Sequence, residues 1–360
     1  MSKLAVMKKE DLRILFMGTP EFAVESLKAL VDNNYNVVAV ITMPDKPAGR
    51  GYKLQASPVK QYTLEKGLTV LQPEKLKDES FIDQLKDLRI DLQVVVAFRM
   101  LPEVVWSMPS KGTFNLHSSL LPQYRGAAPI NWAIINGEKE TGVTTFFLSH
   151  EIDTGDIIFR EKTTISTTDN AETLHDRLMV MGAKLVLKTV DAVIDNSVTS
   201  IPQDELKAGE LELKPAPKIF KDDCRVNWNK NREEIFNFIR GLSPYPAAWT
   251  ELHRTDTDEV LRVKLFASML SEEADSEDLK NGATTQNNGA TTLENGAVTL
   301  ENGAVTLENG SIITDNKSYL NVVTANGFVS ITDLQLSGKK RMNVIDFLNG
   351  YKLSEGDYFE

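Results

Sequence analysis

Short apolar runs alternate with stretches of helical periodicity along the first half of the chain. Short runs bounded by glycine, proline or polar residues are typical of strands buried in a parallel sheet. These runs cover residues 13–18, 37–41, 69–71 and 92–98. After the first run, apolar residues recur at helical spacing behind Pro20, and proline is favourable at the first position of a helix. Alternating strands and helices predict an α/β fold with a Rossmann-like, doubly wound and mainly parallel sheet.

The pattern changes in the second half, where short strand-like segments follow one another with polar turns between them. These segments cover residues 261–267, 311–313, 320–323 and 328–336, after a helical segment at 232–242. Several short strands in succession predict a small β-barrel of the OB-like type. A stretch rich in proline and charge separates the halves. We therefore expect a first domain over 1–195, a linker over 196–217 and a C-terminal β-barrel domain over 218–360.

One segment of the second half is repetitive. The dipeptide Asn-Gly starts at residues 281, 288, 295, 302 and 309, which is a period of seven. Asn-Gly is a strong turn signal, and glycine with β-branched residues disfavours a helix. The low-complexity insert at about 271–310 is therefore either a disordered loop or a short ladder of strands. In both cases we expect it to be tolerated, because a long surface loop costs little additional closure entropy.

Composition restricts the class of protein. An apolar content of 41% and a charged content of 25% are ordinary for a globular chain. The single cysteine, Cys224, excludes a disulfide framework and a cysteine-type zinc site. No group of histidine, cysteine and aspartate has metal-ligand spacing, so we expect no metal. The first residues lack a signal-peptide core and no apolar run approaches the length of a membrane span, so we expect a cytoplasmic protein.

The net charge of −11 argues against a general nucleic-acid binder, which usually carries a basic surface. Any RNA contact would have to use local basic patches. One lies in the loop at 42–60, which is long and rich in glycine and proline, and long loops on compact domains are usually functional. The two patches contain Lys46, Arg50, Lys53 and Lys60, and Lys339, Lys340 and Arg341.

Residues 112–126 carry the side chains best suited to chemistry. The segment begins as a strand with Asn115 and His117 on one face and then breaks into a loop. Open α/β sheets build their sites from polar side chains at the carboxyl ends of apolar strands. An amide can stabilise an oxyanion, and an imidazole can donate to an oxyanion or transfer protons. Asp153 follows on a later loop, from which it could fix the tautomer of His117 or accept a proton itself; the residues alone leave these roles open.

This segment, followed by Glu-x-Asp-x-Gly-Asp at 151–156, resembles the active site of the folate-dependent formyltransferases. Segments 44–51, 57–60, 239–249 and 338–342 resemble the branch of that family that acts on tRNA. The resemblance covers nearly the whole chain, except residues 1–10 and about 271–310. It implies a catalytic first domain and formyl transfer from 10-formyltetrahydrofolate to the α-amino group of methionyl-initiator-tRNA. It also implies that Asn115, His117 and Asp153 are catalytic.

The same resemblance implies binding residues for both substrates. The folate pocket would be lined by Ser119, Leu120, Leu121 and Pro122, and by Val95, Val96 and Ala97. The tRNA would be bound by Arg50, Lys46, Lys53, Lys339, Lys340 and Arg341. Residues 97–102 (Ala-Phe-Arg-Met-Leu-Pro) depart from the family pattern, because this loop is one residue shorter and lacks a glycine. The conformation of that loop is therefore open.

Two other functions remain as alternatives. A folate-dependent formyltransferase acting on a small nucleotide or an amino-sugar would share residues 112–156 but would not need the loop at 42–60 or the barrel. The second is a nonenzymatic RNA-binding protein. Asn115, His117 and Asp153, together with the acidic net charge, argue against it. We expect a monomer whose partners are initiator methionyl-tRNA and the folate co-substrate, with no membrane.

Overall fold

The structure, a computed structural model, describes residues 7–48, 53–207, 212–270, 291–294, 297–300 and 307–360. The chain divides into two compact units. The first comprises the chain up to Pro129 together with Glu140–Thr164 and Leu174–Pro217. The second comprises Ile130–Lys139, Ile165–Thr173 and Lys218–Glu360. No helix in the described ranges has both the length and the apolar character that crossing a membrane requires.

A seven-stranded sheet forms the centre of the first unit. The strands along the first half of the chain are β1 (Ile14–Gly18), β2 (Val37–Ile41), β3 (Lys46–Ala48), β4 (Lys53–Gln55), β5 (Val70–Leu71), β6 (Leu92–Val96), β7 (Thr113–His117), β8 (Glu140–Phe147) and β9 (Ile157–Thr164). Their order in the sheet is β5-β2-β1-β6-β7-β8-β9. The first five of these are parallel, and β8 and β9 are antiparallel. The predicted mainly parallel α/β fold is therefore confirmed.

Helices cover both faces of this sheet. The helices in this part of the chain are α1 (Glu21–Asp32), α2 (Pro58–Glu65), α3 (Glu79–Asp87), α4 (Glu103–Trp106), α5 (Pro129–Ile135) and α6 (Ala171–Ile194), of which α5 belongs almost entirely to the second unit. On one face, Phe81 and Leu85 of α3 pack in a buried cluster with Met17 and Val95. On the other face, Gly182 of α6 lies so close to the sheet that an added Cβ atom would be 2.6 Å from Leu116.

The order of the strands reverses at β1, because β2 lies on one side of it and β6 on the other. Ligands of doubly wound sheets bind outside the carboxyl ends of the strands at such a switch point. Gly18 ends β1 there, and a Cβ atom on it would lie 2.6 Å from the Cβ of Ala23 and 3.0 Å from the carbonyl oxygen of Val96. Only glycine lets α1 begin this close to the strand ends. β7 follows β6 in the sheet, so its carboxyl end borders the same crevice.

The loop at 42–60 contains a β-hairpin, which the sequence did not predict. β3 and β4 pair antiparallel, with Lys46 opposite Gln55. At the base of the hairpin, Asp45 accepts hydrogen bonds from Lys60 at 2.7 Å and from Gln72 at 2.9 Å. The hydrogen bond from Lys60 is the main cause that lowers the pKa of Asp45. The one carboxylate of this loop is therefore already paired.

The stretch predicted as a linker, 196–217, is ordered against the first unit where the structure describes it. Ile201 exchanges two backbone hydrogen bonds of 2.9 Å with Ile157 at the start of β9. A short 3₁₀ helix follows at Gln203–Lys207. Further along, Ala216 forms an isolated β-bridge with Gly126. This stretch therefore belongs to the framework around the 118–126 loop.

The second unit contains a nearly closed antiparallel β-barrel, as predicted. Its part of the chain holds α7 (Arg232–Leu242), β10 (Ala248–His253), β11 (Val260–Leu270), β12 (Thr291–Glu294), β13 (Ala297–Leu300), β14 (Ile312–Thr314), β15 (Leu320–Thr324), β16 (Gly327–Leu336), β17 (Met342–Asn343), α8 (Val344–Gly350) and β18 (Tyr358–Phe359). The barrel sheet runs β14-β15-β16-β11-β10-β18, and β17 pairs with β16. A bridge between Ser311 and Tyr358 links its two ends. The pattern predicted α7 and most of the longer strands but missed β10 and α8.

Two segments from the first half of the sequence belong to the second unit. From 130–139, Asn131 donates a 2.8 Å hydrogen bond to the carbonyl oxygen of Gly241 in α7. From 165–173, the carbonyl oxygens of Ser166 and Asp169 each accept a 2.8 Å hydrogen bond from Arg240, which is 7% exposed. Burial lowers the pKa of Arg240. One side-chain amide and two carbonyl groups, all far from α7 in sequence, thus fix the end of this helix.

Part of the heptapeptide insert forms a hairpin, and the rest lies outside the described residues. β12 and β13 pair antiparallel, with Thr291 opposite Leu300. Within the described ranges they pair only with each other. Leu307, near the last repeat, instead packs against buried Val323 and Phe328 of the barrel. Of the two interpretations of the insert, the described residues favour local strand pairing.

We expect that removing residues 288–301, two whole repeats, leaves folding and turnover nearly unchanged. The repeat that carries Leu307 stays in place, and loop length alone changes closure entropy little. Thermal unfolding should give a Tm within about 2 °C of the parent chain. As a control, Leu307→Ala should lower Tm by more, because it removes packing from the barrel. A large fall in Tm after the deletion would show that the repeats support the barrel.

Candidate active site

β7 presents two of the three candidate catalytic residues, Asn115 and His117, on one face. Phe114 and Leu116 are 0% and 3% exposed on the opposite face, which fixes the orientation of the strand. Asn115 lies opposite Val95 of the parallel strand β6. The side chain of Asn115 is half-buried and makes no hydrogen bond to the described part of the chain. Its amide is therefore free to donate to a substrate.

His117 is 6% exposed, and both of its ring nitrogens face polar groups. Nε2 lies 2.8 Å from the carbonyl oxygen of Tyr124. Because a carbonyl can only accept, Nε2 must carry a proton and donate it. Nδ1 lies 3.8 Å from Oδ2 of Asp153. In the neutral imidazole Nδ1 carries the lone pair, so a further proton on Nδ1 would lie between the ring and the carboxylate.

Asp153 comes from the loop after β8 and has a positive φ of 55°, a conformation that aspartate tolerates better than most residues. Oδ2 accepts a 2.9 Å hydrogen bond from the backbone N–H of Gly126. Oδ1 makes no hydrogen bond within the described residues. The structure thus brings Asn115, His117 and Asp153 to one end of β7, although Asp153 lies 36 residues after His117.

The first part of the loop at 118–126 is held by its own contacts and by Thr144. The Ser119 hydroxyl donates a 2.6 Å hydrogen bond to the carbonyl oxygen of Gln123. The Thr144 hydroxyl donates to the carbonyl oxygen of Ser119 at 2.6 Å and accepts from the Leu121 N–H at 3.2 Å. Ser119 and Leu121 are fully buried, Pro122 is buried and Leu120 is half-buried. These hydrogen bonds and this burial fix the conformation of the segment that is predicted to line the folate pocket.

The end of β6 is the other segment predicted to line the folate pocket. Val95 and Val96 are buried, whereas Ala97 is exposed with φ of 47°. In the shortened loop that follows, the guanidinium of Arg99 donates to the carbonyl oxygens of Pro73 and Glu74 at 2.6 Å and 2.9 Å. Burial lowers the pKa of Arg99. These two hydrogen bonds fix the loop without the glycine found in the family pattern.

The candidate tRNA-binding residues differ in whether their charged groups are paired with an acidic side chain. Lys46 is exposed on β3, and Lys339 and Lys340 are exposed after β16. Arg341 is also exposed, but its guanidinium donates to Asp333 at 2.7 Å and 2.9 Å and lies over Phe266. The hydrogen bond to Asp333 is the main cause that raises the pKa of Arg341. Arg50 and the side chain of Lys53 lie outside the described residues.

The sequence did not predict the residues that surround Asp153. Gln203, from the stretch predicted as a linker, is 2% exposed and contacts both Arg125 and the Asp153 loop. Beside them opens a cleft of about 550 Å³, whose lining includes Phe147, Glu151 and Asp204. A glutamine in a proline-rich stretch carries no distinctive pattern, so no signal in a single sequence would have identified it.

Comparisons with known proteins agree with this geometry. A model of the formyl transferase family matches residues 12–190, and a model of the formyl transferase C-terminal domain matches residues 218–352. The matched ranges contain β7, the Asp153 loop and all strands of the barrel except β18. The fold and the site therefore define an enzyme of the formyl transferase class.

Proteins of similar sequence show which family within this class the chain belongs to. Methionyl-tRNA formyltransferase of Parabacteroides distasonis is 58% identical, over 96% of this chain and 98% of that protein. Methionyl-tRNA formyltransferase of Bacteroides thetaiotaomicron is 55% identical, over 97% of this chain and 99% of that protein. The chain belongs to the methionyl-tRNA formyltransferase family.

Solved structures share the fold at low sequence identity. WlaRD, a sugar 3N-formyl transferase crystallised with dTDP and 5-N-formyl-THF, superposes with a TM-score of 0.56 at 18% identity, covering 91% of this chain and 99% of that chain. An N-formyltransferase from Helicobacter canadensis, in complex with folinic acid and dTDP-3-aminofucose, gives a TM-score of 0.54 at 19% identity, covering 92% of this chain and 100% of that chain. Both comparisons support the fold of the chain.

Proposed function

We propose that this protein transfers the formyl group of 10-formyltetrahydrofolate to the α-amino group of methionyl-initiator-tRNA, for translation initiation in the cytoplasm. The observation that carries the proposal is the identity of 55–58% to methionyl-tRNA formyltransferases over nearly the whole chain. The arrangement of Asn115, His117 and Asp153 at a strand end supports it independently, because acyl transfer needs an oxyanion donor and a proton acceptor in one place.

The reaction replaces one carbon–nitrogen bond with another. The amine nitrogen attacks the formyl carbon, and negative charge develops on the formyl oxygen in the tetrahedral intermediate. The free amide of Asn115 is the group we assign to that oxygen, because a prearranged donor stabilises charge that develops only during the reaction. The bond from the formyl carbon to the folate nitrogen then breaks, the attacking amine loses a proton, and the folate nitrogen gains one.

Asp153 is the group we assign to accept the proton of the amine. Its Oδ2 atom accepts a hydrogen bond from the N–H of Gly126, whereas Oδ1 accepts none from the residues that the structure describes. His117 donates from Nε2 to Tyr124, which orients Nδ1 toward the carboxylate at 3.8 Å. A proton on Nδ1 would give the imidazole a positive charge beside both the carboxylate and the oxyanion. We therefore assign His117 to charge stabilisation and proton exchange with Asp153.

The hairpin of β3 and β4 is the surface of the first unit that we assign to the tRNA. Lys46 and Lys53 lie on its two strands, and Arg50 lies between them in sequence. The one acid of this loop, Asp45, is paired with Lys60 at the base. The cations of the hairpin itself are therefore not neutralised by that acid. Phosphate contacts of this kind position a nucleic acid and make its affinity depend on salt.

The proposal is tested by incubating the protein with 10-formyltetrahydrofolate and charged initiator tRNA, and measuring formylmethionine after hydrolysis of the ester. Three parallel reactions contain uncharged tRNA, a dTDP-linked amino-sugar, and charged tRNA without the folate. We expect formylmethionine only in the reaction that contains both 10-formyltetrahydrofolate and charged initiator tRNA. Formylation of the amino-sugar instead would support the alternative enzyme, and binding of tRNA without any transfer would support a nonenzymatic RNA-binding protein.

We expect Arg50→Ala to affect mainly the use of tRNA. Glycines on both sides allow the backbone to approach a partner closely, and arginine can bind a phosphate in bidentate geometry or stack on an unpaired base. The kcat/KM for methionyl-tRNA should fall at least tenfold, about 1.4 kcal/mol, while the KM for the folate stays the same. Steady-state kinetics with each substrate varied separately measure this. Lys66→Ala, an exposed cation after α2, is the control. If the KM for the folate rose instead, the assignment of the hairpin to tRNA binding would be wrong.

A further inference from the structure

Gln203 makes hydrogen bonds with every polar atom of its amide group. Nε2 donates to the carbonyl oxygens of Asp153 and Gly155, both at 2.8 Å. Oε1 accepts from Nε and Nη2 of Arg125 at 3.0 Å and 2.6 Å. A buried amide whose nitrogen and oxygen are both hydrogen-bonded holds its partners in a defined geometry. If either set of hydrogen bonds were lost, buried polar groups would be left unpaired, which costs free energy.

These contacts close a ring around the carboxylate of Asp153. The side chain of Arg125 binds Gln203, and Gln203 binds the backbone of Asp153. The carboxylate of Asp153 then accepts from the N–H of Gly126, the residue that follows Arg125. The ring thus connects the 118–126 loop to the 149–156 loop at two points, one at the backbone of Asp153 and one at its side chain.

The anchor of Gln203 is independent of both loops. The two backbone hydrogen bonds between Ile201 and Ile157 fix the chain two residues before it, at the start of β9. The 3₁₀ helix begins at Gln203 itself. The amide is therefore supported by the sheet, whereas Asp153 lies in a loop with positive φ that needs support from outside.

The chemistry of the site requires an amide at this position. The carbonyl oxygens of Asp153 and Gly155 need donors, and the guanidinium of Arg125 needs an acceptor. A glutamate would satisfy Arg125 but would place a carboxylate against two carbonyl oxygens, and a methionine of similar size would satisfy neither side.

We propose that Gln203 is a positioning residue for the transfer reaction, which sets the place of the Asp153 carboxylate through the two carbonyl oxygens of that loop. The proposal rests on the function proposed above. It assigns a role in the active site to the stretch that connects the two halves of the sequence. A carboxylate displaced by about 1 Å can lose about a hundredfold in rate without any change in the chemistry of the group.

The test compares Gln203→Met and Gln203→Glu with Gln123→Met. Gln123 is the matched control, because its amide also joins the 118–126 loop to the same stretch. It donates to the carbonyl oxygen of Glu212 at 3.0 Å and accepts from the N–H of Lys214 at 2.8 Å. We expect both Gln203 variants to lower kcat by about ten- to a hundredfold, with KM values within about twofold. Gln123→Met should keep kcat within about threefold.

A double-mutant cycle separates positioning from a general loss of stability. In the Asp153→Ala background, Gln203→Met should change the residual kcat by less than about twofold, because the group that Gln203 positions is absent. The proposal would be overturned if the double variant lost kcat by the product of the two single losses. It would also be overturned if Gln203→Met alone had the kcat of the parent chain.

Amide hydrogen exchange gives a readout that does not depend on catalysis. In Gln203→Met the N–H of Gly126 should exchange at least about tenfold faster, because its acceptor on Asp153 is no longer held in place. If the parent protein transfers no formyl group but this exchange still accelerates, the proposed function fails, whereas Gln203 still holds the carboxylate of Asp153 in place. If the parent is active while both kcat and exchange are unchanged in the variant, the positioning role is overturned.

Discussion

Asp153→Asn is expected to lower kcat by about a hundredfold or more while leaving the KM for the folate nearly unchanged. The amide of an asparagine can still accept the hydrogen bond from Gly126, so the loop should keep its conformation. It cannot, however, accept a proton from the amine. His117→Ala and Asn115→Asp should have effects of similar size, the first by removing the imidazole and the second by replacing an oxyanion donor with an acceptor. One oxyanion donor typically contributes about a hundred- to a thousandfold in rate.

Single-turnover and steady-state kinetics with charged initiator tRNA measure these losses. His175→Ala is the control for His117, because His175 packs edge-on against Phe22 at a centroid distance of 5.3 Å and has no part in the site. Turnover close to that of the parent in any of the three site variants would exclude that residue from the reaction.

Gly155→Ala is expected to reduce both stability and activity. A Cβ atom at this position would lie 1.7 Å from the carbonyl oxygen of Phe147, the last residue of β8, so the 149–156 loop must move away from the strand. Forced overpacking of this kind costs about 1–3 kcal/mol of unfolding free energy. The movement would also displace the carboxylate of Asp153, and we expect kcat to fall by about a hundredfold in the protein that remains folded.

Gly350→Ala is the matched control for this substitution. Gly350 ends α8, and an added Cβ atom there would meet no atom within 4 Å. Denaturant unfolding and kcat should both stay close to those of the parent chain. Parent-like kinetics in Gly155→Ala would mean that the loop tolerates the displacement, and that the close contact with β8 is unrelated to catalysis.

The apolar pattern predicted the sheet of the first unit well because its signal is local. The predicted strand at 37–41 matches β2, and the helix at 232–242 matches α7. The strand expected at 92–98 ends at Val96, because Ala97 adopts a positive φ. β10 was missed because its start lies in a segment with two prolines, which hides the alternation of polar and apolar residues. The hairpin at 46–55 was missed for the same reason.

The site could be predicted in part. Asn115 and His117 share a strand face by simple periodicity, and their position at a strand end is a local property. The approach of Asp153 to His117 depends on the path of the loop between β8 and β9, so the residues alone left it as an option and only the resemblance to a family indicated a catalytic role. The contacts of Gln203 join residues 48 to 78 positions apart, and no short-range pattern encodes them. The tautomer of His117 likewise depends on the carbonyl of Tyr124, a backbone atom that every residue possesses.

The discontinuous make-up of the second unit limits how far its barrel can be exchanged as a module. A fragment starting at Lys218 would lack Ile135, whose side chain approaches Gly241 of α7 so closely that a Cβ atom there would lie 2.7 Å from it. It would also leave the buried guanidinium of Arg240 without the carbonyls of Ser166 and Asp169. A chimaera between two relatives would therefore have to transfer residues 130–139 and 165–173 with the barrel, even though both segments lie within the catalytic half of the gene.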